Sequence, residues 1–389
     1  MALVGERVFV LYCSHGAGGG EDVLKAFKYR LYPTREQARK MSDTLWLCSI
    51  LYNRCLAARR DAWQNGRKTI TKFDQMAALP ELKRQDERFH RVHSQVLQDV
   101  VKRLDRAFQA FFRRVKAGEK PGYPRFRSAR RCDSFTYPQA PSGCQSQGNK
   151  LVLSKIGTVK VKLHRPIQGK VKTVTVRQQA DGWYASFACE VKPSVLPASE
   201  EVVGVDLGLE NFDITSDGEV FENPRHLRRA ERNLKRLQRQ VCRREKGGNR
   251  RKKAVKQLAK AHLHVANQRK DNAHKIARAL VNRYGYIFGE DLNVKGMVHN
   301  RHLAGAIHDA GWGVFLGILP GKAEEAGRYV GAEEPYRSSQ ECSDCGEHVP
   351  KPLAQRWHSC PRCGLSIHRD VNAARNILKR GLKRLGRVA

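Results

Sequence analysis

Two Cys-x-x-Cys pairs near the C-terminus constrain the fold of this chain more than any other feature of its sequence. Cys342 and Cys345 form the first pair, and Cys360 and Cys363 form the second after fourteen intervening residues. A glycine follows each pair, which suits a tight knuckle whose backbone amides point at sulfur. Four thiolates fill the tetrahedral sphere of zinc and make a closed, structural site. The spacing therefore predicts a zinc ribbon; an array that binds no metal is the alternative.

Three carboxylates occupy the ends of elements that the hydrophobic pattern predicts. Asp206 ends an apolar strand, Glu290 ends a second one, and Asp370 begins an amphipathic helix just after the cysteines. Hydrolysis of a phosphodiester by two metals needs carboxylates that hold two magnesium ions about 3.5–4 Å apart. A single acid at a strand end is more often a turn or capping residue. Three in this arrangement predict a catalytic centre with two Mg²⁺ ions.

The charge of the chain indicates its partner. In 389 residues, 73 Lys and Arg face 38 Asp and Glu, which gives a net charge of +35. A compact protein with that charge repels itself unless a polyanion neutralises it, so we expect a nucleic-acid partner. A membrane surface is the weaker alternative, because no stretch reaches the roughly 18 consecutive apolar residues of a spanning helix.

The cysteines and the N-terminus indicate the compartment. Eleven cysteines are present, but no secretory signal accompanies them, so metal binding in a reducing compartment is favoured over disulfides. We expect a cytoplasmic protein of a prokaryote, associated with the nucleoid when it is on DNA. Residues 1–23 are predicted to be a leader without an assigned function.

Hydrophobic periodicity divides the first half of the chain. Residues 24–33 alternate with the period of a strand, 34–117 follow a helical pattern, and 118–198 return to period two with Gly and Pro between short strands. The later segment predicts a small β-barrel or curled sheet. We expect the first strand to join it, so that the helices form an insertion in a β-domain.

The second half begins with the strand that ends at Asp206. Residues 199–341 are predicted to form the first part of an α/β domain, with a basic helical hairpin over 225–283. The ribbon covers 342–363, and 364–389 complete the domain. The density of positive charge on the hairpin favours contact with phosphate over a merely solvated coiled hairpin.

Several of these motifs resemble those of the transposon-encoded TnpB family, which is related to type V CRISPR effectors. The resemblance covers about residues 24–380. The motifs that carry it include Val203-Gly-Val-Asp-Leu-Gly-Leu209, Glu290-Asp-Leu-Asn-Val-Lys-Gly-Met297, the Cys-x-x-Cys pairs, Asp309-Ala-Gly-Trp-Gly313, Tyr123-Pro-Arg-Phe126 and His368-Arg-Asp-Val-Asn-Ala-Ala374. The resemblance implies a multidomain α/β protein: an RNase H-like RuvC nuclease domain with an inserted zinc ribbon, and an N-terminal wedge β-barrel interrupted by a helical recognition domain.

The same resemblance implies an RNA-guided DNA endonuclease. Its partners would be a guide RNA and double-stranded target DNA, with the protein probing a short motif beside the target and acting as a monomer on one RNA. This chain departs from the family in two places. His368 stands where many members carry a second aspartate, and the segment 317–331 is unusual, so its structure is left open.

Aromatic and amide side chains among basic ones are the candidates for nucleic-acid contact, because rings stack on bases, cations bind phosphate and amides favour adenine edges. For any one of them, a role in the core is an equal alternative. The candidates are Lys28, Arg30, Tyr52, Asn53, Gln95, Gln98, Tyr123, Arg125, Phe126, Arg127, Arg236, Arg239 and Arg269.

Three other functions remain as alternatives. A guided DNA-binding repressor of the same fold would have lost acids of the triad, and all three are present. A transposase that joins DNA would need a strand-borne His pair, whereas His262 and His264 lie in a helical pattern where residues two apart point to different faces. A DNA-packaging protein would leave the acids unexplained.

Overall fold

The computed structural model describes residues 22–387 except 141 and 353, and these residues form two compact units that divide after Lys192. The leader expected over residues 1–23 lies almost wholly outside the described residues. The first strand begins at Val23, one residue before its predicted start.

Unit 1 contains a seven-stranded antiparallel sheet and four α-helices. Its elements are β1 (Val23–Tyr32), α1 (Arg35–Gly66), α2 (Lys72–Ala77), α3 (Leu79–Gln85), α4 (Ser94–Lys116), β2 (Ser134–Tyr137), β3 (Cys144–Gln147), β4 (Lys150–Leu153), β5 (Gly157–Lys162), β6 (Lys170–Gln179) and β7 (Gly182–Val191). The strand order is β2-β6-β7-β1-β5-β4-β3. β1 pairs with β7 and β5, so the helices are inserted between one central strand and its partners.

Local sequence explains how the insertion begins. Pro33 ends β1, and Thr34 and Gln37 form a reciprocal capping box at the start of α1. On β1 the buried residues alternate, with Phe27, Tyr29 and Leu31 facing the core that the helices also line. Rings at two of these positions are therefore packing residues.

Unit 2 is built on a five-stranded mixed sheet. Its elements are β8 (Val202–Asp206), β9 (Asn211–Thr215), β10 (Val220–Glu222), α5 (His226–Cys242), α6 (Asn249–Arg283), β11 (Tyr286–Glu290), α7 (Val294–Met297), α8 (Arg301–Ala310), α9 (Trp312–Ala326), β12 (Tyr329–Glu333), β13 (Trp357–Ser359), β14 (Ser366–His368) and α10 (Arg369–Arg384). The strand order is β10-β9-β8-β11-β12. β8, β11 and β12 are parallel to one another, whereas β9 is antiparallel to both of its neighbours, β8 and β10. β13 and β14 form a separate ribbon.

Helices cover both faces of this sheet. Val203, Val205 and Ile287 face a core shared with α6 and α9. Because side chains alternate along a strand, Gly204 and Asp206 face the other side, where α10 crosses the sheet. The segment whose structure was left open forms the end of α9 and most of β12.

The stretch Arg301–Ala326 is long and apolar enough, by composition, for a membrane span. In this fold it is two helices, α8 and α9, which meet at Gly311 in the left-handed conformation. Phe315 and Leu319 of α9 are buried in the core of unit 2. These buried side chains pack α9 against α6.

Candidate functional site

Register brings two of the predicted acids together. In the parallel pair of β8 and β11, Val205 lies opposite Gly289, so the next residues, Asp206 and Glu290, end neighbouring strands at the same edge. Neighbouring strands lie about 4.8 Å apart, and both side chains project from the face that α10 covers. Asp206 and Glu290 therefore lie side by side.

The third acid arrives on α10. A Cβ atom added to Gly204 would lie 2.0 Å from Ala374 O, so the helix backbone rests directly on β8. Only glycine permits this approach. Asp370 lies one turn before Ala374, in the first turn of the helix. Its charge acts on both strand acids, as their pKa values show.

Burial and the charges of neighbouring acids raise the pKa values of the two acids that end β8 and β11. The pKa of Asp206 is raised well above its ordinary value by burial and then by the charges of Glu290 and Asp370. Burial raises the pKa of Glu290 to about 6, against a hydrogen bond from Ser338 and the charge of Arg380. A divalent cation would relieve this repulsion, and carboxylate oxygens are the ligands that Mg²⁺ prefers. By the chemistry of their donor atoms, the three residues fit a divalent metal ion.

A fourth acid, Glu333, stands beside this cluster but is paired. It lies opposite Glu290 in the parallel pair of β11 and β12. Arg384 Nη2 lies 2.8 Å from Glu333 Oε1, and burial raises the pKa of this carboxyl while Arg384 lowers it. Because Arg384 compensates its charge, Glu333 differs from Asp206, Glu290 and Asp370.

Residues around the triad were not anticipated from sequence. Ser338 Oγ donates a hydrogen bond of 3.0 Å to Glu290 Oε1. Arg356 Nη1 lies 3.7 Å from Asp370 Oδ2, and its Nη2 lies 2.7 Å from Glu210 Oε2. A serine or an arginine in a loop carries no periodic signal. Such partners were visible only once the fold brought them together.

Two asparagines of α10 hold the loop that carries Ser338. Asn376 Nδ2 donates to Ser338 O at 2.8 Å, and Asn372 Oδ1 accepts from Ser343 N at 2.9 Å. Both are buried, and a spacing of four places them on one face of the helix. That spacing in an otherwise apolar stripe is a signal that could have identified them.

His368, the departure from the family pattern, caps α10. Its Nδ1 accepts a hydrogen bond of 3.4 Å from Asp370 N and lies 4.0 Å from Asp370 Oδ2. His368 thus caps α10 from the position at which many family members have an aspartate.

The four cysteines form a compact cluster. Their Sγ atoms all lie within 4.8 Å of one another, and the Cys342–Cys363 and Cys345–Cys360 pairs are each 3.5 Å apart. Zn–S bonds of about 2.3 Å in a tetrahedron place sulfurs about 3.8 Å apart, which agrees with these distances. Backbone amides of Cys363 and Arg362 help to lower the pKa of Cys360 to about 7. The cluster fits one zinc ion.

The two histidines between the cysteine pairs have other partners. His348 Nε2 lies 3.2 Å from Gln340 Oε1. His358 is buried and its Nδ1 contacts Lys351 Nζ. These contacts agree with a zinc site made by thiolates alone.

On the sheet of unit 1, Lys28 and Arg30 point away from the core. Lys28 Nζ lies 4.1 Å from the centre of the Tyr184 ring and 2.7 Å from Gln179 Oε1. Arg30 donates to Asp181 O at 2.9 Å. Both cations are exposed on one side of β1, next to a tyrosine.

Tyr52 and Asn53 do not agree with a base-reading role. Tyr52 is 4% exposed and packs in the core of unit 1. The Asn53 amide binds the backbone of Arg127, since it accepts from Arg127 N at 2.8 Å and donates to Arg127 O at 2.9 Å. Both side chains hold the 120s segment onto α1.

One of the two predicted amides of α4, that of Gln95, also has protein partners. Gln95 Nε2 donates to Gln139 Oε1 at 2.6 Å, and its Oε1 accepts from Ser142 Oγ at 3.2 Å. Gln98 is half-buried. A nucleic acid would have to replace the Gln95 contacts in order to use that amide.

The segment after α4 presents rings and cations together. Tyr123 and Phe126 are 46% and 47% exposed. Arg60 lies 5.3 Å from the Phe126 ring, and Arg127 lies 4.3 Å from the Tyr52 ring. Arg125 is exposed between the two rings. These residues remain candidates for stacking and phosphate contact.

The basic hairpin consists of α5 and α6. Arg236 and Arg239 are exposed on α5, where Arg236 donates to Asn233 Oδ1 at 2.9 Å. Arg269 on α6 donates to His308 O and thereby connects α6 to α8. Arg269 therefore has a structural role. His262 and His264 lie within α6 and are exposed.

Comparisons with known proteins agree with this architecture. Family models described as "Probable transposase", "Cas12f1-like, TNB domain" and "Helix-turn-helix domain" match residues 186–301, 312–377 and 23–68. The last of these segments is β1 followed by α1 in this structure.

Two relatives match over nearly the whole chain. A protein of Streptomyces pristinaespiralis named "Putative RNA-guided DNA endonuclease" is 35% identical over 370 residues, which cover 93% of this chain and 90% of the relative. The Escherichia coli K12 protein named "Putative RNA-guided DNA endonuclease InsQ" is 32% identical and covers 92% of each chain.

A solved structure shares the fold. The structure described as that of the mini-RNA-guided endonuclease CRISPR-Cas_phi3 has a TM-score of 0.53 at 8% identity and covers 95% of this chain and 93% of its own. Together with the relatives that match at full length, these likenesses show that the chain belongs to the TnpB family of transposon-associated proteins.

Proposed function

We propose that this protein is a transposon-encoded RNA-guided DNA endonuclease. It binds a non-coding guide RNA, recognises a short motif beside its target in duplex DNA, and cuts the DNA at one RuvC-type centre. Relatives named as putative RNA-guided DNA endonucleases match over more than nine tenths of the chain. The observation that supports the proposal is that Asp206 and Glu290 end neighbouring parallel strands, with the charge of Asp370 acting on both.

The residues of the centre have distinct parts in this proposal. Asp206, Glu290 and Asp370 hold two Mg²⁺ ions, which when bound supply an activated water and stabilise the leaving oxygen. Ser338 orients the Glu290 carboxylate through its hydrogen bond of 3.0 Å. Arg356 lies 3.7 Å from Asp370 and links this carboxylate to Glu210, with which it pairs at 2.7 Å.

The other parts of the chain bind and position nucleic acid. The sheet of unit 1 is the wedge domain, and the helices of 34–117 are the recognition domain that contacts the guide and target. Guide pairing supplies sequence specificity, while the protein reads heteroduplex shape and the flanking motif. The net charge of +35 provides the contacts to phosphate.

Zinc has a structural part. One ion held by Cys342, Cys345, Cys360 and Cys363 stabilises the ribbon, whose strand β14 leads directly into α10. A folded ribbon therefore sets the position of Asp370. We further propose that one protein acts on one RNA, in the cytoplasm of its host.

The test is to sequence the RNA that copurifies with the protein and to reprogram it. A defined non-coding RNA is expected, and a changed guide segment should redirect Mg²⁺-dependent cutting to a matching DNA that carries the flanking motif. Copurification of random RNA with no cutting of any matched DNA would contradict the proposal. Binding at the matched site without cutting, under saturating Mg²⁺, would instead favour the guided repressor.

A further inference from the structure

A recess lined by residues that follow β8 and by the start of α5 lies beside the candidate metal centre. It has a volume of about 460 Å³, within the range of ligand pockets, and opens between the turn after β8, the first turn of α5, and α8. Leu209, Leu227 and Ala306 supply apolar surface, and Arg225 and Arg228 supply charge.

The two arginines are free to bind an anion. Within residues 22–387, without 141 and 353, neither guanidinium has an ion pair or a side-chain hydrogen bond. The acid on the same wall, Glu231, pairs with Lys235 Nζ at 2.7 Å, and the charge of Arg228 also acts on it. Arg225 and Arg228 supply the positive charge of the rim.

Arg225 is held in an unusual conformation. Its φ of 48° lies in the left-handed region, which is strained for a residue other than glycine. Asn223 maintains the turn, since its Oδ1 accepts from Arg225 N at 3.1 Å and its Nδ2 donates to Leu209 O at 3.0 Å. Both hydrogen bonds fasten Arg225 to the opposite wall of the recess.

The deep end of the recess is already neutralised. Asp309 Oδ1 and Oδ2 accept from the amides of Leu227 and Arg228 at 2.6 and 2.9 Å. The N-terminus of α5 is thus capped from within the protein. Anionic groups of a ligand would go to the rim, and the apolar surface would take an uncharged part.

The floor of the recess is open at Gly305 on α8. A Cβ atom added there would have no heavy atom within 4 Å. Leu209 and Leu227 offer apolar surface of the kind on which a nucleic-acid base packs, and the arginines offer charge for its phosphate. A ligand with an apolar-packing base and an adjoining phosphate is a nucleotide.

The recess lies close to the candidate metal centre. Leu209 follows Asp206 by three residues, so their Cα atoms are at most about 11 Å apart, or about three nucleotides at the rise of stacked DNA. The intervening turn also contacts the centre through one side chain, because Arg356 pairs with Glu210 at 2.7 Å and approaches Asp370 at 3.7 Å.

We propose that the recess receives one unstacked base of the DNA strand being cut, with the adjoining phosphates on Arg225 and Arg228. This inference rests on the proposed function, since the strand must enter the centre at Asp206. Extrusion of one base would fix the register of the strand over the metals, in the way that enzymes hold a flipped base in a pocket.

The test uses the full chain with Asp206→Asn, which prevents cutting. The probe is a single-stranded DNA of about 12 nucleotides, within the site sizes of single-strand binding proteins, in which alternate bases are 2-aminopurine. This base brightens when it leaves the stack, so binding in the recess should raise its emission. Gly305→Leu should fill the floor, abolish the rise and weaken binding about 5-fold or more.

Matched controls separate the recess from general effects. Gly317→Leu alters another exposed helical glycine with nothing within 4 Å of its Cβ and should leave the emission unchanged. Arg225→Gln with Arg228→Gln should lose the signal, whereas Arg130→Gln with Arg131→Gln, the same charge change in unit 1, should keep it. An abasic version of the probe should bind the parent more weakly than the intact probe does. On Gly305→Leu the two probes should bind equally.

Three results would overturn the inference: no rise in emission with the parent, an unchanged rise with Gly305→Leu, or equal binding of the abasic probe to the parent. None of these readouts requires cutting. If guided cutting is found while the emission test fails, the endonuclease assignment stands and the base site is rejected. If the emission test succeeds but no guided cutting occurs, the endonuclease assignment fails instead.

Discussion

Ser338 Oγ and Glu290 Oε1 are joined by a buried hydrogen bond of 3.0 Å, although the two residues are 48 positions apart. Ser338→Ala should leave Glu290 without this orienting donor. Loss of such a partner to a metal ligand typically costs 10- to 100-fold in metal affinity or activity. We expect a loss of about that size in cutting rate, partly restored by higher Mg²⁺. Ser359→Ala, an exposed serine of β13, is the control; equal rates for the two variants would contradict the role.

The three acids should be individually essential for cutting. Asp206→Asn, Glu290→Gln and Asp370→Asn nearly keep shape but remove a charged metal ligand, so each should lower the cutting rate by more than about 100-fold. Guide RNA and target binding should persist, since these groups carry none of the positive charge. Rates from purified complexes and affinities from filter binding measure the two effects. A single variant that still cuts at the normal rate would remove that acid from the centre.

The cysteine cluster should carry one zinc ion. Cys342→Ser removes a thiolate from the cluster and should reduce zinc, measured by elemental analysis, and lower the thermal midpoint of unit 2. Cys242→Ser changes an exposed free cysteine on α5 and should alter neither. Because β14 leads into α10, loss of zinc should also reduce cutting. Native protein without zinc would rule out the site.

Gly204 should not tolerate a side chain. Its added Cβ would lie 2.0 Å from Ala374 O, a backbone atom that cannot rotate away. Gly204→Ala should therefore push α10 from the sheet, cost about 1–3 kcal/mol or more in the free energy of unfolding, and reduce cutting by displacing Asp370. Gly305→Ala, where the added atom meets open space, should be neutral or stabilising. Denaturant titration compares the pair, and similar stabilities would refute the close packing.

Asp213 should make stability depend on pH. It is fully buried on β9, and burial followed by the charge of Glu219 raises its pKa well above the ordinary value, against a lowering contribution from the backbone amide of Ile214. The folded state therefore keeps a proton that the unfolded chain releases above about pH 4. The free energy of unfolding therefore falls by about 1.4 kcal/mol per pH unit between about pH 4 and the pKa of Asp213 in the folded state.

Asp213→Asn removes this titration. Relative to the parent, the variant should gain stability as pH rises above about 4, and the gain should grow with pH up to the folded pKa. Asp43→Asn, on the exposed face of α1, should show no such trend. Urea unfolding at several pH values measures both, and a gain that does not change with pH would contradict the buried neutral acid.

Much of this architecture follows from local pattern. The alternation of β1, the capping box at Thr34, the basic helices α5 and α6, and the acids that end β8 and β11 all depend on residues near one another in sequence. The cysteine spacing predicted a cluster that the fold forms. Tyr52 shows the limit of such patterns, because one helical stripe is compatible with a core residue or a contact residue, and packing placed it in the core.

The elements, the three acids and the four thiolates could be predicted from the sequence alone, because period, capping and ligand spacing are local properties. Which distant groups meet depends on how the elements pack. The register of β11 on β8 set Asp206 beside Glu290, the contact of Gly204 with Ala374 positioned Asp370, and the loop held by α10 brought Ser338 to Glu290. The recess beside Leu209 arises in the same way. These relationships depend on strand order and helix crossing, which the chain settles only when its apolar faces are buried together.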